Sequence, residues 1–488
     1  MKPIYQLVIP AVMLTLLGCS DDDKESSVVD TSGTVIETKF DGIWLSEPYG
    51  KGLKISNGSI EAFDYTTNFC LLDFSTGFDT ESQLNDFLSM SSQQSEIYLF
   101  SDYGTSEFHA PTPPYVKYSQ LPASCSNGYE KKVGENGYSR DPMKNVKIFF
   151  ESFKEYYLDF GLSNTDWNAV YESAISGVDA TTSDEELFEI FYQAILNLND
   201  THVSISSGSI GTASINNKPV FWEVLLEEFM LLNNLGSTIP VELTQAANEY
   251  IDDSVNAFKQ ITASYAEEQS SIMTFGDDAL MWFQSSNIGY LAINKMAGLS
   301  PDLDLEGEIG QANTGINKAL GELADTDALI VDVRFNNGGF DAVSMMYAKH
   351  LITNGGILAS KEVSDHLGNM FTLNYELEPS SNAYTKPIFI LTSASTVSAA
   401  EVFVLLMKSQ PNVIIVGENT QGSLSDALEK SLPNGFKFNL SNEKYLSADG
   451  QWYEKSGIPA DVEVPFLDYS SRQVGEDLAI EAVISLLD

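Results

Sequence analysis

Between residues 35 and 125 the apolar positions fall in short runs, VIETKF, GIWLS, GLKIS, SIEAFDY, CLLDF and EIYLF, with glycine, asparagine and serine between them. Short runs bounded by turn residues predict strands. Asn57-Gly58, set between Leu53-Lys54-Ile55-Ser56 and Ser59-Ile60, predicts a tight hairpin, because both residues tolerate positive φ. Thr112 to Pro114 predict a loop near the end of this region. After Asp141 the period lengthens. VKIFFESFKEYYLDF, TDWNAVYESAISGV and SDEELFEIFYQAILNL repeat their apolar residues at helical spacing, with Thr165 or Asp166 and Ser183 placed as N-caps. A further mostly helical stretch, about Lys218 to Glu268, shows no glycine-rich carboxylate-binding loop of the PDZ kind.

From about Asn287 the texture changes again. The apolar strands IGYLAI, ALIVDVRF, PIFILTS and NVIIVGE alternate with helical stretches that include Glu306 to Leu323 and Ala399 to Lys408. Near-continuous apolar strands belong to a sheet covered on both faces. PIFILTS, SAAEVFVLLMKSQ and NVIIVGE read as one βαβ unit, with parallel strands and a right-handed crossover. The predicted fold class is α/β, with a layered domain over 276–488, a helical part over 140–215, a helical insertion over 216–275 and a small all-β domain over 35–130.

Charge narrows the function. The chain of 488 residues carries 69 acidic and 26 basic residues, a formal net charge of -43, and its only arginines are Arg140, Arg334 and Arg472. Such a surface repels phosphate backbones and excludes nucleic acid as a partner. The N-terminus, MKPIYQLVIPAVMLTLLGCS, has a basic residue, a short apolar run and then Leu16-Leu17-Gly18-Cys19. It resembles a bacterial lipoprotein signal peptide. That resemblance implies a signal over 1–19, a lipid on Cys19, an acidic tether over 20–34 and membrane attachment through the N-terminal lipid only. The expected location is the cell envelope, on the outer membrane facing the periplasm or on the cell surface. Cys70 and Cys125 are then an even pair in an oxidising compartment and are expected to form a disulfide.

The stretch TSASTVSAAEVFVLLM, from Thr392 to Met407, poses a chemical question. Ser398-Ala399-Ala400-Glu401 has the S-x-x-E spacing of a capping box. A serine at a helix N-terminus also has a backbone N–H beside it, here that of Ala399, that can receive an oxyanion. Ser393 and Ser395 are competing hydroxyls nearer the strand end. Gly338 and Gly339, after a buried strand, could offer N–H groups to the same oxyanion, or could form a plain turn.

Five motifs then stand in order: Leu198-Asn199-Asp200-Thr201-His202, Asp332-Val333-Arg334-Phe335-Asn336-Asn337-Gly338-Gly339, Thr396-Val397-Ser398-Ala399-Ala400-Glu401, Gly417-Glu418-Asn419-Thr420-Gln421-Gly422 and Tyr453-Glu454-Lys455-Ser456-Gly457-Ile458-Pro459-Ala460-Asp461. They resemble the tail-specific (C-terminal-processing) serine peptidase family, which includes the tricorn core and the retinoid-binding proteins, from about Asp141 to the C-terminus. The resemblance implies a ClpP/crotonase-like layered catalytic domain. It also implies hydrolysis of peptide bonds in peptide or protein substrates through an acyl-enzyme, with Ser398 as nucleophile. The lysine of the Ser-Lys branch is missing, since Ser423 holds its position. The pattern is nearer the branch with Ser-His-Glu, which implies His202 as base, Glu454 and Thr201 as its orienting groups, and Gly338, then Gly339, with Ala399 at the oxyanion. His109, His350 and His366 lie outside the motifs. No metal or organic cofactor is implied, because ligand clusters and phosphate loops are absent from the sequence. Two alternatives stand beside this reading: a non-catalytic peptide- or lipid-binding protein on the same fold, and a β domain that does the main work in surface adhesion or glycan binding, with the peptidase auxiliary.

Overall fold

The computed structural model describes residues 36–99, 108–215, 218–301 and 304–488. Cys19, the signal and the tether lie outside the described residues. Among those residues no helix is long and apolar enough to cross a membrane.

The N-terminal region is a seven-stranded antiparallel sheet in the order Cys70–Gly77, Ser59–Tyr65, Lys51–Ser56, Gly42–Ser46, Tyr115–Tyr118, Glu96–Leu99, Leu88–Met90. Asn57 (φ 52°) and Gly58 (φ 73°) turn the hairpin, as the twist of tight two-residue turns requires. The strand expected at VIETKF does not form: its described residues are coil and turn. Phe40 is instead drawn wholly into the core, and its carbonyl accepts the Trp44 indole N–H at 2.7 Å. Cys70 and Cys125 are joined in a disulfide, with Cα atoms 5.0 Å apart.

Helices Pro142–Tyr156, Trp167–Ile175 and Asp184–Leu196 follow. Asp166, not Thr165, caps the second, accepting from Asn168 N and Ala169 N at 3.1 Å. Ser183 and Glu186 close a reciprocal capping box on the third. Their aromatic faces do not make a core of their own. Phe149 and Phe153 pack against Phe438, at 5.0 and 5.6 Å between centroids, on a strand more than 280 residues later. The helical part and the sheet Ala427–Ser431, Lys437–Ser441, Ser204–Ser207, Gly211–Ser214 therefore bury one apolar cluster together.

The layered domain is built on a second seven-stranded sheet, ordered Met273–Phe275, Leu280–Ser285, Ile288–Ile293, Ala328–Asp332, Ile388–Thr392, Val413–Gly417, Val462–Glu463. Its strands are parallel from Ile288–Ile293 onward, and Ile388–Thr392 pairs directly with Val413–Gly417. Helices Leu305–Glu322, Asp341–Lys349 and Ala399–Lys408 cover one face, and Leu478–Leu487 packs on the other. Every residue from Ala399 to Met407 is buried, so packing on all sides fixes the N-terminus of that helix. A three-stranded sheet, Met370–Leu377, Gly356–Ser364, Lys444–Ser447, lies alongside. The insertion holds two helices, Val220–Leu232 and Thr244–Ala263.

Candidate active site

Strand Ile388–Thr392 runs out into a loop whose hydroxyls are engaged one by one. Ser393 Oγ donates to Arg334 O (2.7 Å), Thr396 Oγ1 donates to Val333 O (3.0 Å), and Ser395 Oγ accepts from Phe221 N (3.0 Å). Ser398 differs. Its backbone sits at φ 57°, ψ -127°, a conformation that a β-carbon disfavours and that surrounding structure must hold. Its N–H lies between Ser423 O (3.0 Å) and Glu401 Oε2 (3.2 Å), and its carbonyl accepts from Glu401 N (2.7 Å) and Val402 N (3.0 Å). Glu401 thus closes its half of the capping box, and in the other half the Ser398 hydroxyl faces the Glu401 N–H without completing a full hydrogen bond.

Glu401 is the hub of this corner. Wholly buried, it accepts from Thr420 Oγ1 (2.6 Å), Gly422 N (2.7 Å) and Ser423 N (2.8 Å) as well as Ser398 N. Burial pushes its carboxyl up to about 7, against these four donors, which pull it down. The glycine loop packs on the other side. A β-carbon at Gly338 (φ 93°) would stand 2.7 Å from Ser398 Cβ, and one at Gly339 (φ 145°) 2.2 Å from Met296 O, so both positions require glycine. The Gly338 N–H is donated to Asn336 Oδ1 at 2.8 Å. Those of Gly339 and Ala399 have no acceptor among the described residues.

Arg334 props this loop from behind. Fully buried, it donates to Asp332 and, through both Nη atoms at 2.8 Å, to Asp477, the N-cap of Leu478–Leu487.

The histidine lies on a different foundation. His202 precedes strand Ser204–Ser207, which pairs with Lys437–Ser441. Asp200 accepts from His202 N (3.0 Å), Ser441 Oγ (3.1 Å) and Tyr157 Oη (2.9 Å). Lys455 Nζ donates to the carbonyls of Leu198 (3.1 Å) and Asn199. Thr201 Oγ1 and Ser423 Oγ are 2.8 Å apart, so the residue where a lysine was expected links the histidine loop to Ser398 N. The imidazole itself makes no hydrogen bond to Ser398 Oγ, and its Nδ1 is buried without a partner. Neither Thr201 nor Glu454 reaches it. Glu454 Oε2 instead accepts from Leu424 N (3.0 Å) and Ser425 N (3.1 Å). Burial, then the charges of Asp200 and Glu401, push its carboxyl well above the ordinary range, while those two N–H groups pull it down. Among the described residues no three His, Cys, Asp or Glu side chains are placed to hold a metal ion.

Asp200, Lys455, Tyr157 and Ser441 carry this corner and were not singled out from the sequence. Asp200 and Lys455 stand inside two of the five motifs. Tyr157 and Ser441 have no sequence signal at all.

Comparison with known proteins agrees with this architecture. Residues 287–464 match peptidase family S41. The chain is 30% identical over 141 residues, 29% of each chain, to the carboxy-terminal processing protease CtpA of Bacillus subtilis. It is 24% identical over 161 residues to the tail-specific protease of Haemophilus influenzae, covering 31% of this chain and 22% of that one. The matches therefore span less than a third of either relative. A crystal structure from Parabacteroides merdae shares the fold at a TM-score of 0.54 and 21% identity, over 72% of this chain and 97% of that one. The matched segment, residues 287–464, contains both Ser398 and the two glycines.

Proposed function

We propose that the protein is a serine peptidase that hydrolyses peptide or protein substrates through an acyl-enzyme on Ser398. The observation that carries this reading is the strained Ser398 backbone at the mouth of a wholly buried helix, with two unengaged N–H groups, Ala399 and Gly339, beside it. In this mechanism Ser398 Oγ attacks the scissile carbonyl carbon and His202 takes the hydroxyl proton. The Ala399 and Gly339 N–H groups receive the oxyanion, with Gly338 added if its N–H turns away from Asn336. His202 then returns the proton to the leaving amine, and water, activated by the same imidazole, releases the acyl group. Thr201 and Glu454 are positioning residues that hold segment 423–425 and the histidine loop in register. Hydrogen bonds of this kind often close only with substrate bound. Export as a lipoprotein, anchored through Cys19 in the cell envelope, belongs to the same proposal and rests on the N-terminal sequence.

A fluorophosphonate probe tests it. Covalent labelling of the wild type that is lost in Ser398→Ala, together with hydrolysis of an unfolded protein, is the expected result. One observation favours a second reading, a non-catalytic peptide-binding protein on the same fold: the His202 imidazole is not joined to Ser398 Oγ. Absence of labelling in a folded wild type would select that reading.

A further inference from the structure

The helical insertion starts at the edge of the candidate site. The first turn of Val220–Leu232 donates Phe221 N–H to Ser395 Oγ at 3.0 Å, three residues before Ser398. The Phe221 ring meets Phe335 edge-on, with centroids 5.4 Å apart, three residues before Gly338. One residue of the insertion therefore touches both loops that flank the reacting hydroxyl, the first with its backbone N–H and the second with its ring.

These rings are supported from behind and keep part of their surface in water. Phe466, at 4.9 Å, and Phe258, at 6.2 Å, back Phe335, and Arg334 lies over both supporting rings. Phe221, Trp222 and Phe335 are each only half-buried, whereas Phe258 and Phe466 are buried. Lys218 Nζ sits 3.0 Å from the Trp222 ring centroid. Supported rings left partly in water beside the reacting loop gain from an apolar side chain that covers them. Lys259 Nζ lies 5.3 Å from the Phe335 ring centroid, so the charged groups nearest these rings are cations.

We infer that Phe221 and Phe335, flanked by Trp222, form an apolar subsite that takes a large hydrophobic side chain of the substrate next to the scissile bond. The inference rests on the reading of Ser398 as the reacting residue, and it makes the insertion a determinant of specificity.

Binding to Ser398→Ala protein tests it without requiring turnover. A set of labelled decapeptides, each position in turn Phe or Ala, is titrated by fluorescence polarisation. One position is expected to prefer Phe over Ala by about tenfold or more, and Phe221→Ala on the same background is expected to bring the Phe:Ala ratio to within about twofold. A retained ratio in Phe221→Ala, or no preference at any position, overturns the subsite. If Phe221→Ala does not fold, the peptide carrying a photoreactive benzoylphenylalanine at the preferred position decides. Crosslinks to residues 218–226 or Phe335 support the subsite, and crosslinks elsewhere overturn it. A preference that depends on Phe221 in a protein that no fluorophosphonate labels would keep the subsite and discard the peptidase reading.

Discussion

The serine and histidine corners are held in place by different means. Ser398 is placed locally: a buried strand, a buried helix and a carboxylate three residues away fix it, and no distant side chain is needed. His202 is placed by side chains from across the chain. Ser423, Ser441 and Lys455 reach its loop from 222 to 257 residues away in sequence. Secondary structure resists single substitutions, because many bonds share the strain. A loop tied by separate polar contacts loosens one contact at a time. The nucleophile is therefore the rigid partner and the base the adjustable one.

That contrast breaks most visibly at the imidazole. His202→Ala is expected to lower kcat by about 10³-fold or more, with an unchanged unfolding midpoint, because no ring nitrogen supports the fold; turnover within tenfold of wild type would remove His202 as the base. Next comes the support behind the serine corner. Arg334→Met leaves Asp332 and Asp477 buried without their cation, and urea unfolding should show a loss of about 3–5 kcal/mol. A loss below about 1 kcal/mol would mean that the corner does not depend on this pair.

A smaller effect belongs to Glu401. Its carboxyl is pushed up to about 7 by burial, so between about pH 4.3 and 7 the folded state keeps a proton that the unfolded chain has released. Its contribution to stability therefore falls as pH rises through that window and is level above it. Wild type should lose on the order of 1–3 kcal/mol relative to Glu401→Gln between pH 5 and 8, read from paired urea midpoints, and a constant gap would show that the four donors keep Glu401 ionised throughout. The mildest change is Lys455→Met, which keeps the aliphatic stem and removes the donor to the Leu198 and Asn199 carbonyls. It should cost about tenfold in kcat at unchanged KM and stability. An equal fall in stability would make Lys455 part of the scaffold rather than of the adjustable corner.

The same division governs what the sequence makes legible. The buried parallel strands and the helix Ala399–Lys408 announce themselves because a sheet covered on both faces needs continuous apolar runs. So do the glycines beside Ser398, since no other residue fits there. Strands Ser204–Ser207 and Gly211–Ser214 carry almost no apolar residues and form because Lys437–Ser441 offers them an edge. VIETKF has the strand pattern and finds no partner. Contacts such as Tyr157 to Asp200 or Thr201 to Ser423 follow no periodicity, because single polar pairs far apart in sequence leave no repeating mark on it.

Lys430 gives the molecule an order in time. Its ammonium is sealed against the Tyr49 and Gly50 carbonyls (2.5 and 2.8 Å) and the Asp64 carboxylate (3.1 Å), up to 381 residues earlier in the chain. Synthesis runs from the N-terminus, so the first sheet is complete while the plug for its socket is still unmade. Until strand Ala427–Ser431 arrives, the two carbonyls remain open to water and Asp64 has only Lys51, 3.4 Å away, as a cation, so a chain arrested short of residue 430 would carry a finished sheet with a half-filled socket. The oldest part of each newly made molecule is thus locked by one of its youngest.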